Sequence, residues 1–345
     1  MTSRKKAGAA VVILLSLPLL LALSQAASFS FHNRNNGSFI SSGETRGYLL
    51  FVPSSYDGSH PAPLVISLHG AGGWPTQQME MSNWNRLAES QRFLVVYPSG
   101  VDSPGARVWR VSPGAGLVRD VRFISDLIDR LGASYNIDRS RIYANGFSNG
   151  GGMSFALSCT LSDRIAAVGL VAAARTLPFR WCTDRRAVPM IAFQGTADPM
   201  IPYNGGATWI APKPFPNVPA FTASWARRNG CGTTPVESTV AADVSRREYT
   251  HCADDAAVVL YTIRGGGHSW PGGEPLPEWF VGPTSRSIDA TARMWAFFLE
   301  HPLRGAAPVS ERAAQPAWPR RSPVRTDQAD GRNVPSLRPF AARSR

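Results

Sequence analysis

Residues 141–158 read RIYANGFSNGGGMSFALS. Arg141–Asn145 is a short β-rich run, Gly146-Phe147-Ser148-Asn149-Gly150 is a turn, and Asn149–Ser158 continues as a helix. A serine with glycine two residues before it and two after, set between strand and helix, is held in a sharp, strained turn that exposes its hydroxyl at the sheet's edge. Glycine is required on both sides because backbone packs on backbone there. Ser148 is therefore the candidate nucleophile, against the plainer reading of an ordinary turn serine.

Outward from this turn, short apolar runs alternate with amphipathic segments. Strands are predicted at Tyr48–Val52, Leu64–Leu68, Phe93–Tyr97, Ile165–Ala172, Val188–Phe193 and Ala257–Ile263. Helices are predicted at Met79–Ser90, Asp120–Tyr135, Ala220–Arg228 and Ser287–Leu299, the second with Val121, Ile124, Leu127, Ile128 and Leu131 on one stripe. Several strands are apolar throughout, which calls for a mostly parallel central sheet with helices on both faces, an α/β fold. Ligands bind such sheets at the carboxyl ends of the strands. Residues 199–216 (PMIPYNGGATWIAPKPFP) read as an ordered surface loop. The catalytic unit is expected over 30–301 as one domain.

Three strand-end loops carry chemistry. His69-Gly70-Ala71-Gly72-Gly73 follows Leu64–Leu68. Acyl transfer puts negative charge on a carbonyl oxygen, and backbone N–H groups must already face it. The loop can supply one, from Ala71 or Gly72, and Asn149, the residue after the nucleophile, the other. His69 precedes Ser148 and reads as a loop-orienting residue. Of the histidines that follow Ser148, His251 sits beside a cysteine and His301 ends a helix, where a cation meets the negative dipole end. His268, in GGGHSW after Ala257–Ile263, is the candidate base. Asp198, in GTADP after Val188–Phe193, is the candidate acid that orients it. The chain order Ser148, Asp198, His268 is that of the α/β-hydrolase fold. Trp74, Tyr203, Trp209 and Trp270 lie in the same strand-end loops and are candidates for the substrate pocket.

The formal net charge of +12 is concentrated at the ends of the chain. Arg4, Lys5 and Lys6 stand unopposed near the start, and residues 302–345 carry nine arginines against three acids. The body is nearly balanced, so no specific nucleic-acid partner is implied, and residues 302–345 read as a disordered Pro/Arg-rich tail. With 43% hydrophobic and only 17% charged residues, disorder throughout is excluded. The basic start, the apolar run Ala7–Leu23 and the small residues at 24–27 read as a signal peptide over 1–27. The run is short for a span and holds Pro18, so membrane attachment is expected only if it stays uncleaved. Export places the chain outside the cytoplasm, in the periplasm or beyond, and makes the four cysteines disulfide candidates. Three connectivities are possible. The local pairs Cys159–Cys182 and Cys231–Cys252 are favoured, each closing a loop of roughly 20 residues worth about 3 kcal/mol. No cofactor or metal is implied.

Together, LHGAGG, DVRFISDLIDRL, YNIDRSRIYANGFSNGGGMS, GTADPMIPYNGG and GGGHSWPGG resemble the secreted poly(3-hydroxybutyrate) depolymerases and feruloyl esterases, including LpqC-type proteins. The likeness covers roughly 45–301. It implies a serine esterase with Ser148, Asp198 and His268 as its triad. Hydroxyalkanoate oligomers or feruloyl-type esters are the implied substrates. Gly150-Gly151-Gly152 is richer in glycine than the family's usual pattern. A serine peptidase on the same fold and a non-catalytic envelope binding protein are the competing readings. The first lacks a recognisable gating domain, and the second requires a broken triad.

Overall fold

In the computed structural model, which describes residues 35–103, 106–174, 178 and 181–304, a ten-stranded sheet runs through the chain. It opens with the hairpin β1 (Gly37–Ser41) and β2 (Glu44–Phe51), then β3 (Ala62–Leu68) and β4 (Leu94–Pro98). A separate hairpin follows, β5 (Val101–Ser103) and β6 (Ala106–Val108). The sheet resumes with β7 (Ile137–Phe147), β8 (Val168–Val171) and β9 (Met190–Gly195). A second small hairpin is β10 (Gly206–Thr208) and β11 (Ala211–Phe215). The last sheet strands are β12 (Val236–Ala241), β13 (Val244–Tyr249) and β14 (Val258–Ile263).

The spatial order is β1-β2-β4-β3-β7-β8-β9-β14-β13-β12. The six central strands, β4 to β14 in that order, are parallel, and an antiparallel hairpin extends each edge. Every residue of β3, β4, β8 and β9 is buried, as strands covered on both faces must be. The edge hairpin β12–β13 escaped the sequence reading. Its first strand, VESTVA, is exposed or half-buried along its length and carries no apolar run.

The helices are α1 (Pro75–Ser82), α2 (Trp84–Gln91), α3 (Ala115–Ser134), α4 (Asn149–Thr160), α5 (Val218–Arg228), the single turn α6 (Glu278–Val281) and α7 (Ala290–Glu300). The expected helix Met79–Ser90 is two helices. Asn83, at φ 56°, ends α1 with its N–H on the Met79 carbonyl and turns the chain into α2. Asparagine is one of the few side chains that adopts this left-handed conformation readily. Stacked rings fasten α7 to the sheet: Trp295 lies 3.9 Å from Phe93, and Phe298 lies 4.7 Å from Tyr143.

The expected export segment, 1–27, and residues 305–345 of the expected tail lie outside the described residues. Leu303 is buried and donates its N–H to the Ser140 carbonyl at 2.7 Å, so the packed body reaches past 301. Among the described residues, no helix is long and apolar enough to cross a membrane.

Candidate active site

β7 ends at Phe147, α4 begins at Asn149, and Ser148 between them has φ 53° and ψ −118°. An L residue holds such a backbone only when its surroundings over-determine it. Here the Ser148 N–H donates to the Val171 carbonyl at 2.9 Å, and the Gly152 N–H donates to the Ser148 carbonyl at 3.1 Å. The glycines leave no slack. A Cβ on Gly146 would lie 2.3 Å from the Gly150 carbonyl carbon, and one on Gly150 would lie 2.2 Å from the Leu68 oxygen. The turn is thus wedged between β7, β8 and the end of β3.

Two neighbouring strands deliver the candidate acid and base. β9 and β14 pair in parallel with Gly195 opposite Ile263. The loops beyond them stay joined: the Thr196 N–H donates to the Ile263 carbonyl and the Ala197 N–H to the Gly266 carbonyl, both at 2.9 Å. Asp198 and His268 are both buried, with His268 Nδ1 2.9 Å from Asp198 Oδ2. The other carboxylate oxygen accepts the Met200 and Ile201 N–H groups, each at 2.8 Å. Gln194 Nε2 donates to Oδ2 at 2.8 Å and to the Ile201 carbonyl at 2.9 Å. Four donors therefore fix the carboxylate. With Nδ1–H directed at Asp198, Nε2 is the imidazole's accepting nitrogen. The imidazole ring lies 4.8 Å from the Phe147 ring, one residue from Ser148. Gln194 was not singled out from sequence; its signal was a lone amide at the end of the apolar strand MIAFQG.

The glycine-rich loop faces the elbow directly, since a Cβ on Gly70 would come 3.4 Å from the Ser148 Cβ. Of the two loop amides proposed as donors, Gly72 gives its hydrogen to the Arg107 carbonyl at 2.7 Å. Ala71 makes no such bond among the described residues, and Asn149, first in its helix, has no intrahelical acceptor. His69 governs the loop's shape. Its Nδ1 lies 2.7 Å from the Gly70 carbonyl, and its Nε2 accepts the Gly100 N–H at 2.9 Å. These partners fix the neutral tautomer with hydrogen on Nδ1. Burial first, then the Arg107 and Arg46 charges, hold His69 down at about 4, against the Gly70 bond that raises it. Trp109 joins the two halves. Its backbone N–H and carbonyl are clasped by the Asn149 side-chain amide at 2.7 and 3.1 Å, and its indole N–H donates to the His69 carbonyl at 3.1 Å.

The four aromatic candidates separate. Trp270 is 1% exposed and its indole N–H donates to Thr291 Oγ1 at 2.9 Å. It packs in the hydrophobic core, where its large apolar area gains most. Tyr203 spends its hydroxyl on Thr262 Oγ1 of β14 at 2.9 Å. Trp74 is half-buried at the start of α1, and Trp209 is 73% exposed at the β10–β11 tip. Both local disulfides, Cys159–Cys182 and Cys231–Cys252, are formed. Among the described residues, no three His, Cys, Asp or Glu side chains cluster as metal ligands would. Arg46, Ser99, Arg107 and Arg110 are among the residues that line a hollow of about 580 Å³, and no triad candidate lines it.

The Esterase PHB depolymerase family model matches residues 47–176, the segment that holds the glycine-rich loop and the elbow. This stretch is therefore similar to the Esterase PHB depolymerase family. Asp198 and His268 lie beyond the matched segment. Feruloyl esterase B of Piromyces equi is 32% identical over 230 residues, covering 65% of this chain and 42% of that protein. This chain therefore spans less than half of that relative's length. The putative esterase NocK of Nocardia uniformis subsp. tsuyamanensis is 29% identical over 279 residues, covering 74% of this chain and 80% of that protein. The acetyl xylan esterase from Aspergillus awamori superposes with a TM-score of 0.51 at 18% identity, over 69% of this chain and 91% of that one. That likeness shows the shared fold, an α/β-hydrolase architecture.

Proposed function

We propose that the chain is an exported carboxylic-ester hydrolase that works through an acyl-enzyme on Ser148. The observation that carries this reading is the buried Asp198–His268 pair, 2.9 Å apart, against the residue that precedes a strained serine. Ser148 Oγ attacks the ester carbonyl carbon while His268 Nε2 takes the hydroxyl proton. The negative charge on the carbonyl oxygen falls to the Asn149 and Ala71 N–H groups, which need not reorganise to receive it. Asp198 holds the imidazole's direction and stabilises the imidazolium. His268 then returns the proton to the departing alcohol, and water repeats the sequence to release the acid. Feruloyl-type esters and hydroxyalkanoate oligomers are the substrates implied by the family and its relatives. The two disulfides favour an oxidising compartment, in keeping with export.

The test is covalent. An aryl fluorophosphonate should add its phosphonyl group to Ser148 Oγ, with loss of fluoride, and peptide mapping should place the added mass on that residue alone. Ser148→Ala should abolish labelling and lower p-nitrophenyl ester turnover by at least about 10³-fold. A folded variant that keeps more than a few per cent of turnover would overturn the assignment.

A further inference from the structure

Two loops leave the candidate acid and base carrying exposed rings. The first follows Asp198 and forms the β10–β11 hairpin. Thr208 pairs with Ala211, so Trp209 and Ile210 make up its two-residue tip. Such tips favour Asn, Asp and Gly, whose backbones fit the turn; tryptophan and isoleucine there answer no need of the turn itself. The second loop follows His268 and ends in α6, where only Val281 is buried. Trp279 is 88% exposed and Phe280 45%. The Phe280 ring lies 6.1 Å from Trp209 and 5.6 Å from Trp279, so the rings form one row across both loops.

That row adjoins the candidate active site. The Val281 carbonyl accepts the His268 N–H at 2.6 Å, and Trp279 is two residues from Val281, at most roughly 7 Å along the chain. A contiguous exposed aromatic patch beside a site marks an interaction surface. Its chemistry selects the occupant. Glu274 and Glu278, on the segment that bears Trp279, are exposed and form no ion pair among the described residues. Carboxylates accept hydrogen bonds and cannot donate them. A polyester offers only ester oxygens, which also accept, so these groups would gain nothing from it. A sugar chain offers both what rings need, flat C–H faces, and what carboxylates need, hydroxyl donors.

We propose that Trp209, Phe280 and Trp279 form a platform for the pyranose rings of a polysaccharide that carries the ester to Ser148. The proposal rests on the ester-hydrolase reading of that serine. Binding can still be tested without turnover, in full-length Ser148→Ala protein depleted from solution by insoluble xylan. About 0.5 M NaCl screens adsorption through the basic ends of the chain. Trp279→Ala should weaken retention about tenfold, the scale of a truncated hot-spot tryptophan. Trp279→Tyr should keep most of it, and both should melt as the parent does. The proposal fails if xylan retention is unchanged in Trp279→Ala, or if only poly(3-hydroxybutyrate) particles retain the protein through Trp279. Loss of esterase activity alone leaves this measurement untouched, so the two readings fail separately.

Discussion

A single uncharged imidazole holds the glycine-rich loop. His69 orients the Gly70 carbonyl, and in a planar trans peptide that fixes the direction of the Ala71 N–H as well. Its other nitrogen must stay unprotonated to accept the Gly100 N–H. The cost of that arrangement is a pH dependence. Folded His69 titrates at about 4, while an unfolded chain's histidine titrates near 6.5. Above about 6.5 both states are neutral and the group is indifferent. As pH falls from there to about 4, only the unfolded state takes up the proton, so stability falls, by about 3 kcal/mol in all. Glu44, held below its ordinary range chiefly by its bond to Arg110, begins to lose its contribution as pH falls through about 4.5, the low end of the His69 window. Urea unfolding between pH 4.5 and 6.5 (about two units) should therefore show a slope of up to about 1.4 kcal/mol per unit from His69. His69→Gln, which cannot titrate, should remove that share. An unchanged slope in the variant would mean that the imidazole is not the group responsible.

At the scale of elements, α3 is bound to the sheet through one buried carboxylate. Asp120 accepts from Arg46 Nη1 of β2 at 2.7 Å, and from the Nη2 and backbone N–H of Arg110 at 2.6 and 2.8 Å. Arg110 adjoins Trp109, so this cluster also seats the residue that joins the two halves of the proposed oxyanion site. Asp120→Asn would leave Arg46, itself buried, with only its longer pair to Glu44 at 3.6 Å. Breaking a buried pair on one side costs about 3–5 kcal/mol. A denaturation midpoint that moves by less than about 1 kcal/mol in equivalent stability would show that the arginines find other partners. Elements differ in how openly the sequence announces them. The central strands were legible because burial on both faces demands unbroken apolar runs. Ser148, Asp198 and His268 could be proposed from sequence because each follows such a run in a glycine-marked loop. The division at Asn83 was hidden, since neither glycine nor proline marks it. Gln194 and Trp109 were hidden too: they act on partners that only the folded chain brings near, and neither periodicity nor spacing records that. The loop position of Trp270 likewise gave no sign that its ring packs in the core.

For the whole molecule, the question is where the packed body ends along the chain. Leu303 is 6% exposed and bonded through its N–H to Ser140, whereas Arg304 meets Asp255 in a pair exposed on both sides, of the kind that contributes little. Two truncations bracket that boundary. Ending the chain after residue 304 removes eight arginines and three acids, lowering the formal charge by five. It removes no apolar periodicity that could offset the entropy of ordering the segment. Tm should stay within about 2 °C of the parent, which corresponds to under 1 kcal/mol for a body of this size. Retention on an anionic resin at low salt should fall, and the difference should vanish as salt screens the exposed charges. Ending the chain after residue 301 also removes Leu303, whose burial is worth about 1.5–3 kcal/mol, and should lower Tm by several degrees. Equal melting of the two truncations would show that Leu303 contributes nothing. A drop of more than about 1 kcal/mol on cutting after 304 would show that residues beyond it make real contacts with the body.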